Sequence, residues 1–329
     1  METIFKSRKA MPFLALLCAL LWSLAFPLIK LGYGAAGIEG NDLGSKILYA
    51  GIRFFFAGII VLTIDAIKKR KDSSGKETKR PMDAAAWGWV LLFTLVNISL
   101  HYMCSYIGLS YIPSSRGSVL NSMGTFFLII LSTILFKDDH FSANKVVGCL
   151  LGFGGILLIN FHPGQAFFVQ ASFMGDGLIL LNALFGALGS IIGRFTAKRM
   201  DMTTATGISM ALGGAFLAAA GWMVGPAAVW KISASGVLIL TALTLISAIA
   251  FTIYNSLVVY HPISKVAIFN AFIPVFGVCF SSLLLKEPFL WTYLAAGLMA
   301  ALGTRLINRT PREAVRKAQI QSSIRSNNQ

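Results

Sequence analysis

The chain has 329 residues, of which 56% are hydrophobic and 12% are charged, and its mean hydropathy is +0.73. Soluble domains carry about 25% charged residues, so this composition excludes an ordinary soluble protein and indicates an integral membrane protein. The formal charge of +15 would suit a nucleic-acid-binding protein only if the basic residues formed one face or stripe. They stand instead in short clusters between apolar runs, so we expect no nucleic-acid partner.

Apolar runs of membrane-spanning length follow one another along the chain, starting with "MPFLALLCALLWSLAFPLIK", which we interpret as an uncleaved first span because it has no small-residue cleavage site. A helix needs about 20 residues to cross a bilayer. The runs predict an all-α integral membrane protein with ten transmembrane helices and no soluble domain. Because "FKDDHFSANK" is a short separator between the fourth and fifth runs, nine spans stay open as the alternative. The runs lie near 11–31, 46–66, 87–108, 115–136, 143–161, 175–196, 204–225, 235–257, 266–285 and 289–308.

The distribution of Lys and Arg predicts the orientation of these spans. With the N-terminus in the cytoplasm, 22 of the 28 basic residues fall on the inner side. We therefore expect a multi-pass protein of the cell inner (plasma) membrane with both termini cytoplasmic. Residues 1–10 would be the cytoplasmic N-terminus and residues 309–329 a basic cytoplasmic tail.

Two stretches of the chain resemble each other, "SYIPSSRGSVLNSMGTFFLII" at 110–130 and "VVYHPISKVAIFNAFIPVFGV" at 258–278. An offset of 149 residues pairs Pro113 with Pro262 and Asn121 with Asn270. Six further pairs keep this offset: Ser115 with Ser264, Arg116 with Lys265, Lys137 with Lys286, Asp138 with Glu287, Gly148 with Gly297 and Gly154 with Gly303. Such a series indicates a duplication.

The duplication predicts the architecture, because five spans is an odd number and the two copies must then insert in opposite orientations. We expect two inverted five-helix repeats, 11–161 and 175–308, joined by an extracytoplasmic linker at 162–174. Secondary transporters have this symmetry, and they bind substrate near the midplane between the halves. The sequence therefore predicts a secondary transporter.

Three segments carry a family resemblance: "LLWSLAFPLIKLG", "GIRFFFAGII" and "SKVAIFNAFIPVFGVCFSSLLLKEPF". They are similar to the EamA-type branch of the drug/metabolite transporter superfamily. The resemblance implies ten helices in two inverted repeats and transport of small metabolites, often export of amino acids or related compounds. The family's "LGE" after the fourth and ninth spans is replaced by "FKDD" at 136–139 and "LKEP" at 285–288, and the usual proline is present as Pro274 but replaced by Thr125 in the first repeat.

Polar side chains inside spans are costly, so we predict that they line the substrate cavity, with packing between helices as the alternative role. In the third span the polar residues repeat every four positions, which places them on one helix face. The predicted cavity residues are Trp22, Ser23, Arg53, Asn97, His101, Tyr102, Tyr106, Asn121, Thr125, Asn270 and Pro274. The predicted gating or helix-capping residues are Pro27, Pro113, Arg116, Pro262 and Lys265.

The charged residues narrow the substrate class. No carboxylate stands at mid-depth in the predicted spans, so the cation exchange found in small multidrug transporters has no obvious acidic carrier here. The positive charges of Lys30, Arg53 and Arg116 favour a substrate that is a zwitterion or carries a carboxylate. A multidrug or cationic compound exporter is the alternative. A membrane-embedded enzyme ranks third, because no cluster of acid, base and nucleophile is present. His101 is either a proton-linked group or a structural histidine.

We expect no cofactor and no metal, since "KDDH" at 137–140 stands alone and the four cysteines lie within apolar runs without metal-ligand spacing. The expected partners are a small-molecule substrate and the lipid bilayer. Proton or ion coupling, and the choice between monomer and homodimer, stay open.

Overall fold

The structure is a computed structural model that describes residues 2–71, 83–135, 143–160, 172–225, 232–261, 266 and 268–307. These residues form helices and connecting turns, and no strand occurs among them. The α-helices, in chain order, are α1 (Glu2–Lys6), α2 (Met11–Ala36), α3 (Leu43–Lys71), α4 (Ala84–Thr94), α5 (His101–Gly108), α6 (Ser114–Asn121), α7 (Met123–Leu135), α8 (Ala143–Asn160), α9 (Leu178–Ala197), α10 (Met202–Val224), α11 (Ala234–Tyr260), α12 (Ile273–Leu285) and α13 (Trp291–Ile307).

Six described helical stretches are long and apolar enough to cross a membrane, and their mean hydropathy lies between 1.6 and 2.3. They are Met11–Ala36, Leu43–Arg70, Ala84–Gly108, Phe173–Ala197, Met202–Val224 and Ala234–Leu257. Two shorter apolar helices, Ile273–Leu285 and Trp291–Gly303, follow them. The described part of the chain is therefore all-helical, and the chain is a multi-pass membrane protein. The predicted tail at 309–329 and residues 162–171 of the predicted linker lie outside the described residues.

A row of glycines joins α3 to α10, and we call it the glycine seam. It pairs Gly44 with Gly221, Gly51 with Gly214 and Gly58 with Gly207. A β-carbon added to any of the three α3 glycines would lie 2.8 Å from the carbonyl oxygen of its partner on α10. Only glycine leaves room for such a contact, so the two backbones touch directly. Because the glycines recur every seventh residue on each helix, the antiparallel contact runs along both helices.

Three membrane segments have an interruption in their α-helix. The third span along the chain, Ala84–Gly108, has a wide π-type turn at Leu95–Leu100, directly before His101. The chain also turns at Ser122 between α6 and α7, where the Ser122 amide donates to the Val119 carbonyl at 3.1 Å, three residues back. Residues Ile268–Phe272 form a tight 3-10 turn before α12, which has Pro274 in its first turn. A proline has no amide hydrogen to donate, so it suits this position.

The largest buried hydrophobic cluster lies where α2, α3, α5 and α11 meet. Its bulkiest members, Tyr33, Tyr49, Phe54 and Tyr106, are almost completely buried. Three of these four carry a phenolic hydroxyl, so this part of the core contains polar groups that need partners. Of the residues predicted to line a cavity, Tyr106 belongs to this cluster, and Trp22 and Tyr102 pack against it.

Candidate functional site

Arg53 on α3 is 2% exposed and is held by groups from two other helices. Its Nε donates to the Leu243 carbonyl at 3.1 Å and to the Ser247 hydroxyl at 3.0 Å, and its Nη1 donates to the Tyr106 hydroxyl at 2.7 Å. The guanidinium carbon also lies 5.0 Å from the centre of the Phe54 ring. No carboxylate in the described part of the chain forms an ion pair with it, so a buried positive charge stands at this point.

Three tyrosines pack edge to face or tilted beside Arg53. The Tyr33 hydroxyl donates to the Tyr106 carbonyl at 2.6 Å, and the ring centres of Tyr33 and Tyr49 lie 6.0 Å apart. The Tyr49 and Tyr106 ring centres are 6.3 Å apart. Sequence reasoning selected Tyr106 and missed the other two, although a tyrosine within an apolar run is the same signal.

His101 and Asn121, both predicted as cavity residues, are joined through Asn182 on α9, a residue that sequence reasoning missed. The His101 Nδ1 lies 2.8 Å from the Asn182 carbonyl, which can only accept, so Nδ1 carries the proton and Nε2 is the acceptor of the neutral ring. The Asn182 side-chain amide donates to the Asn121 Oδ1 at 2.6 Å. An asparagine within the predicted span 175–196 was the available signal.

Asn97 of the π-type segment and His101, which directly follows this segment, lie against glycines of α9. A β-carbon added to Gly189 would lie 2.8 Å from the Asn97 Cβ, and one added to Gly186 would lie 2.8 Å from the His101 Cε1. Tyr102 packs on the neighbouring Phe54 ring at 3.9 Å between ring centres. These contacts give Asn97, His101 and Tyr102 well-defined packing positions.

Four residues from α2, α11 and the 3-10 turn form what we call the Trp22 site: Trp22, Phe251, Tyr254 and Asn270. The Trp22 ring centre is 5.0 Å from that of Tyr254 and 5.7 Å from that of Phe251. The Asn270 Nδ2 donates to the Tyr254 hydroxyl at 3.3 Å. Sequence reasoning selected Trp22 and Asn270 but not the two rings between them.

Two polar atoms of the Trp22 site are buried without a hydrogen-bond partner among the described residues. They are the Trp22 Nε1, a donor, and the Asn270 Oδ1, an acceptor. Buried polar atoms are nearly always paired, so two exceptions in one cluster need an explanation. A bound molecule with one acceptor and one donor would satisfy both.

Ser23, Thr125 and the prolines have backbone contacts or lie within helices. The Ser23 hydroxyl lies 2.6 Å from the Ala19 carbonyl and 3.1 Å from the Ile273 carbonyl, which ties α2 to the start of α12 beside Pro274. The Thr125 amide donates to the Ser122 carbonyl at 3.2 Å, within the turn between α6 and α7. Pro27 is buried inside α2. Pro262 and Lys265 lie outside the described residues.

One end of the molecule carries a group of charged residues, Lys30, Arg116, Asp176 and Glu287, and we call it the Glu287 face. The Glu287 carboxylate accepts from the Ser114 amide at 2.8 Å, the Ser115 amide at 3.1 Å and the Ser115 hydroxyl at 2.7 Å. The Lys30 Nζ lies 3.8 Å from its Oε1. Pro113 directly precedes α6 and contributes no side-chain cap, so Glu287 caps this helix from a distant part of the chain.

Arg116 forms an ion pair with Asp176 on the same face. Its Nε lies 2.5 Å from the Asp176 Oδ1, and the two side chains are 3% and 9% exposed. The other carboxylate oxygen of Asp176 accepts from the Ser172 amide at 3.0 Å. Arg116 was predicted to act at a helix cap, and the structure places its guanidinium on a carboxylate between α6 and the start of α9.

Within the described residues, no three His, Cys, Asp or Glu side chains lie close enough together to hold a metal ion. Of the described cysteines, Cys18 and Cys104 are buried, whereas Cys279 is exposed on α12. A cysteine on the outer side of an apolar helix faces lipid, so the thiol needs no partner there.

Comparisons with known proteins agree with this description. The model of the EamA-like transporter family matches residues 9–161 and 173–309. The uncharacterized transporter YvbV of Bacillus subtilis is 27% identical over 316 residues, covering 94% of each chain. An uncharacterized transporter of Synechocystis, sll0355, is 30% identical over 254 residues, 72% of this chain and 74% of that protein.

A solved crystal structure shares the fold, with a TM-score of 0.63 and 17% identity, over 91% of this chain and 96% of the other. At this identity the likeness concerns the fold alone. The family match extends over both predicted repeats, and the chain belongs to the EamA-like transporter family.

Proposed function

We propose that this transporter moves a small zwitterionic or carboxylate metabolite, such as an amino acid, out of the cell by alternating access between two inverted five-helix repeats in the inner (plasma) membrane. Both termini are cytoplasmic in this proposal, which makes the Glu287 face extracytoplasmic. The count of ten spans and the export direction follow from the sequence and the family resemblance.

The glycine seam supports the inverted arrangement. Its three α10 glycines follow the three α3 glycines at an offset of 163 residues, which also pairs Trp22 with Phe185. Equivalent helices of two inverted copies meet antiparallel around a two-fold axis in the membrane plane. The contact between Gly51 and Gly214 stands at the centre of such an arrangement, with one further glycine contact on each side.

The interrupted helices support a substrate site between the copies. The breaks at Ser122 and at Ile268–Phe272 follow or contain Asn121 and Asn270, the asparagines that the internal duplication pairs. Broken helices at corresponding positions of two repeats are a feature of substrate sites in secondary transporters, because they present polar groups at membrane depth.

The observation that carries the substrate class is the pair of unpartnered atoms in the Trp22 site. The Trp22 Nε1 can donate to a carboxylate, and the Asn270 Oδ1 can accept from an ammonium group. The faces of the Trp22 and Tyr254 rings also attract an ammonium group. Arg53 donates to Ser247, one turn before Phe251 on α11, and its positive charge favours a compound that carries a carboxylate.

An exporter of organic cations is the second candidate, because the same rings would attract a cationic ring compound. Arg53 disfavours it, since a net cation would meet this charge without offering a carboxylate. Transport of a cationic dye against transport of amino acids separates the two candidates directly.

The test is reconstitution of the purified protein into proteoliposomes with a panel of labelled amino acids, with and without a pH gradient. We expect counterflow of at least one zwitterion and no accumulation of cationic dye. Counterflow of no metabolite would overturn the proposal, and accumulation of dye alone would establish the second candidate. A rate that depends on the imposed pH gradient would add proton coupling.

A further inference from the structure

We infer that Glu287 is a latch that keeps the Glu287 face closed, and that its carboxylate releases α6 whenever this face opens. The inference rests on the proposed alternating access and orientation. It concerns a residue outside the predicted substrate cavity, in the turn between α12 and α13, and assigns it a role in gating.

The contacts of Glu287 connect the two proposed repeats. It belongs to the second repeat, whereas Ser114 and Ser115 begin α6 in the first. Two of its three hydrogen bonds come from backbone amides that the start of a helix leaves unpaired, and the acceptor is charged, which makes such bonds about twice as strong as neutral ones. Since α6 has no side-chain cap of its own, it depends on this carboxylate.

The backbone beside Glu287 holds the carboxylate in this position. Lys286 ends α12 with φ 54° and ψ 28°, in the left-handed region that residues with a side chain seldom adopt. This conformation reverses the chain direction after α12. Glu287 consequently faces back toward the start of α6 and away from the continuation of its own helix.

The helices below the latch are in direct contact. A β-carbon added to Gly277 of α12 would collide with the Ser118 side chain of α6, and Ser118 is completely buried. Ser118 lies one turn below Ser114 and Ser115. With Glu287 bound to α6, water on this side therefore does not reach Ser118, and the face is closed between these two helices.

The second ionic contact of this face is less suited to opening and closing. Arg116 and Asp176 are almost completely buried, so separating them would leave two opposite charges uncompensated away from water. The Glu287 side chain is 13% exposed and Lys30 is 26% exposed, so water can replace the bonds of this carboxylate at a lower cost. The contact that reforms in each cycle is the Glu287 cap, and the Arg116–Asp176 pair fixes α6 to α9.

The experiment measures access to position 118. The reporter is Ser118→Cys in a chain whose four native cysteines are replaced by serine, labelled by a membrane-impermeant maleimide added to the extracytoplasmic side. Glu287→Gln removes the charge and leaves one acceptor oxygen, so we expect the labelling rate to rise at least about tenfold. Glu39→Gln is the matched control, because Glu39 is an exposed carboxylate before α3 on the same side, and we expect its rate to equal that of the reporter chain.

An unchanged labelling rate in Glu287→Gln would overturn the latch. If that variant does not accumulate in the membrane, Ser115→Ala provides the test, because it removes one of the three bonds and keeps both amides; we expect about a threefold faster rate, and no change would again overturn the latch. Labelling requires no substrate. Faster labelling without transport of any metabolite would therefore contradict the proposed function alone, and transport with unchanged labelling would contradict the latch alone.

Discussion

The glycine seam and the Trp22 site are two places where the proposed repeats meet, and they differ in what fills the contact. In the seam, backbone lies against backbone with no room for a side chain. In the Trp22 site, aromatic rings surround a donor and an acceptor that have no partner among the described residues. In the glycine seam the two backbones fill the contact completely, whereas in the Trp22 site two polar atoms are left for hydrogen bonds with another molecule. The seam therefore contributes to the stability of the protein, and the Trp22 site is where we propose that substrate binds.

A side chain in the seam gives the largest expected effect. In Gly51→Leu, the new side chain would occupy the space of the Gly214 carbonyl and the Ala218 backbone, so we expect a loss of about 4 kcal/mol or more and little folded protein in the membrane. Recovery of folded protein in detergent measures the effect. Gly88→Leu is the control, because an added β-carbon there has no neighbour within 4 Å and recovery should match the parent protein.

Removal of one charge from the buried pair on the Glu287 face is expected to have the next largest effect. Asp176→Asn leaves Arg116 buried without its anion, at a cost of about 3–5 kcal/mol in the free energy of unfolding. Arg199→Ala removes an exposed ion pair with Asp83, at 3.6 Å, and should cost at most about 1 kcal/mol. Equal losses in the two variants, measured by denaturant unfolding, would contradict the assignment of Arg116 and Asp176 to a buried structural contact.

Replacement of Asn270, whose Oδ1 has no partner among the described residues, separates function from stability. Asn270→Leu should abolish counterflow of the zwitterion, because it removes the acceptor for the ammonium group, while unfolding changes by no more than about 1 kcal/mol. Asn182→Leu is the contrasting variant outside the Trp22 site. It removes the bond to Asn121 at 2.6 Å, which is shorter than the 3.3 Å bond from Asn270 to Tyr254, and it should cost about 1–3 kcal/mol. A stable Asn270→Leu protein with parental counterflow rates would exclude Asn270 from substrate binding.

The smallest expected effect concerns Lys286, which follows α12 in the left-handed conformation. Because glycine adopts the left-handed conformation without strain, Lys286→Gly should raise the free energy of unfolding by about 1 kcal/mol. Lys286→Ala keeps a β-carbon and should give no gain. A gain in the alanine variant equal to that of the glycine variant would show that the charge, and not the backbone, causes it.

The sequence predicted the elements of this structure better than their contacts. Hydropathy locates the membrane helices, and the internal duplication singles out Asn121 and Asn270, because both signals are local or periodic along the chain. Asn182, Phe251 and Tyr254 were missed, since their importance depends on which residues approach from other helices.

Glu287 is a further residue whose contacts could not be predicted from the sequence, because they join distant parts of the chain. Pro113 directly before α6 and Arg116 in its first turn predicted a cap built from nearby residues, but the acceptor comes from a residue more than 170 positions later. The glycine seam, in contrast, could have been predicted from the sequence. Its glycines recur at every seventh position, and that spacing keeps them on one helix face.

The most direct test of the central claim, that the unpartnered atoms of the Trp22 site bind substrate, is counterflow of the transported zwitterion in Trp22→Phe proteoliposomes. Phenylalanine keeps an aromatic ring and removes the Nε1 donor, so we predict a rate about tenfold to a hundredfold lower at equal reconstituted protein. Trp291→Phe, an exposed tryptophan at the start of α13, should transport at the parental rate. Parental rates in both variants would contradict the claim.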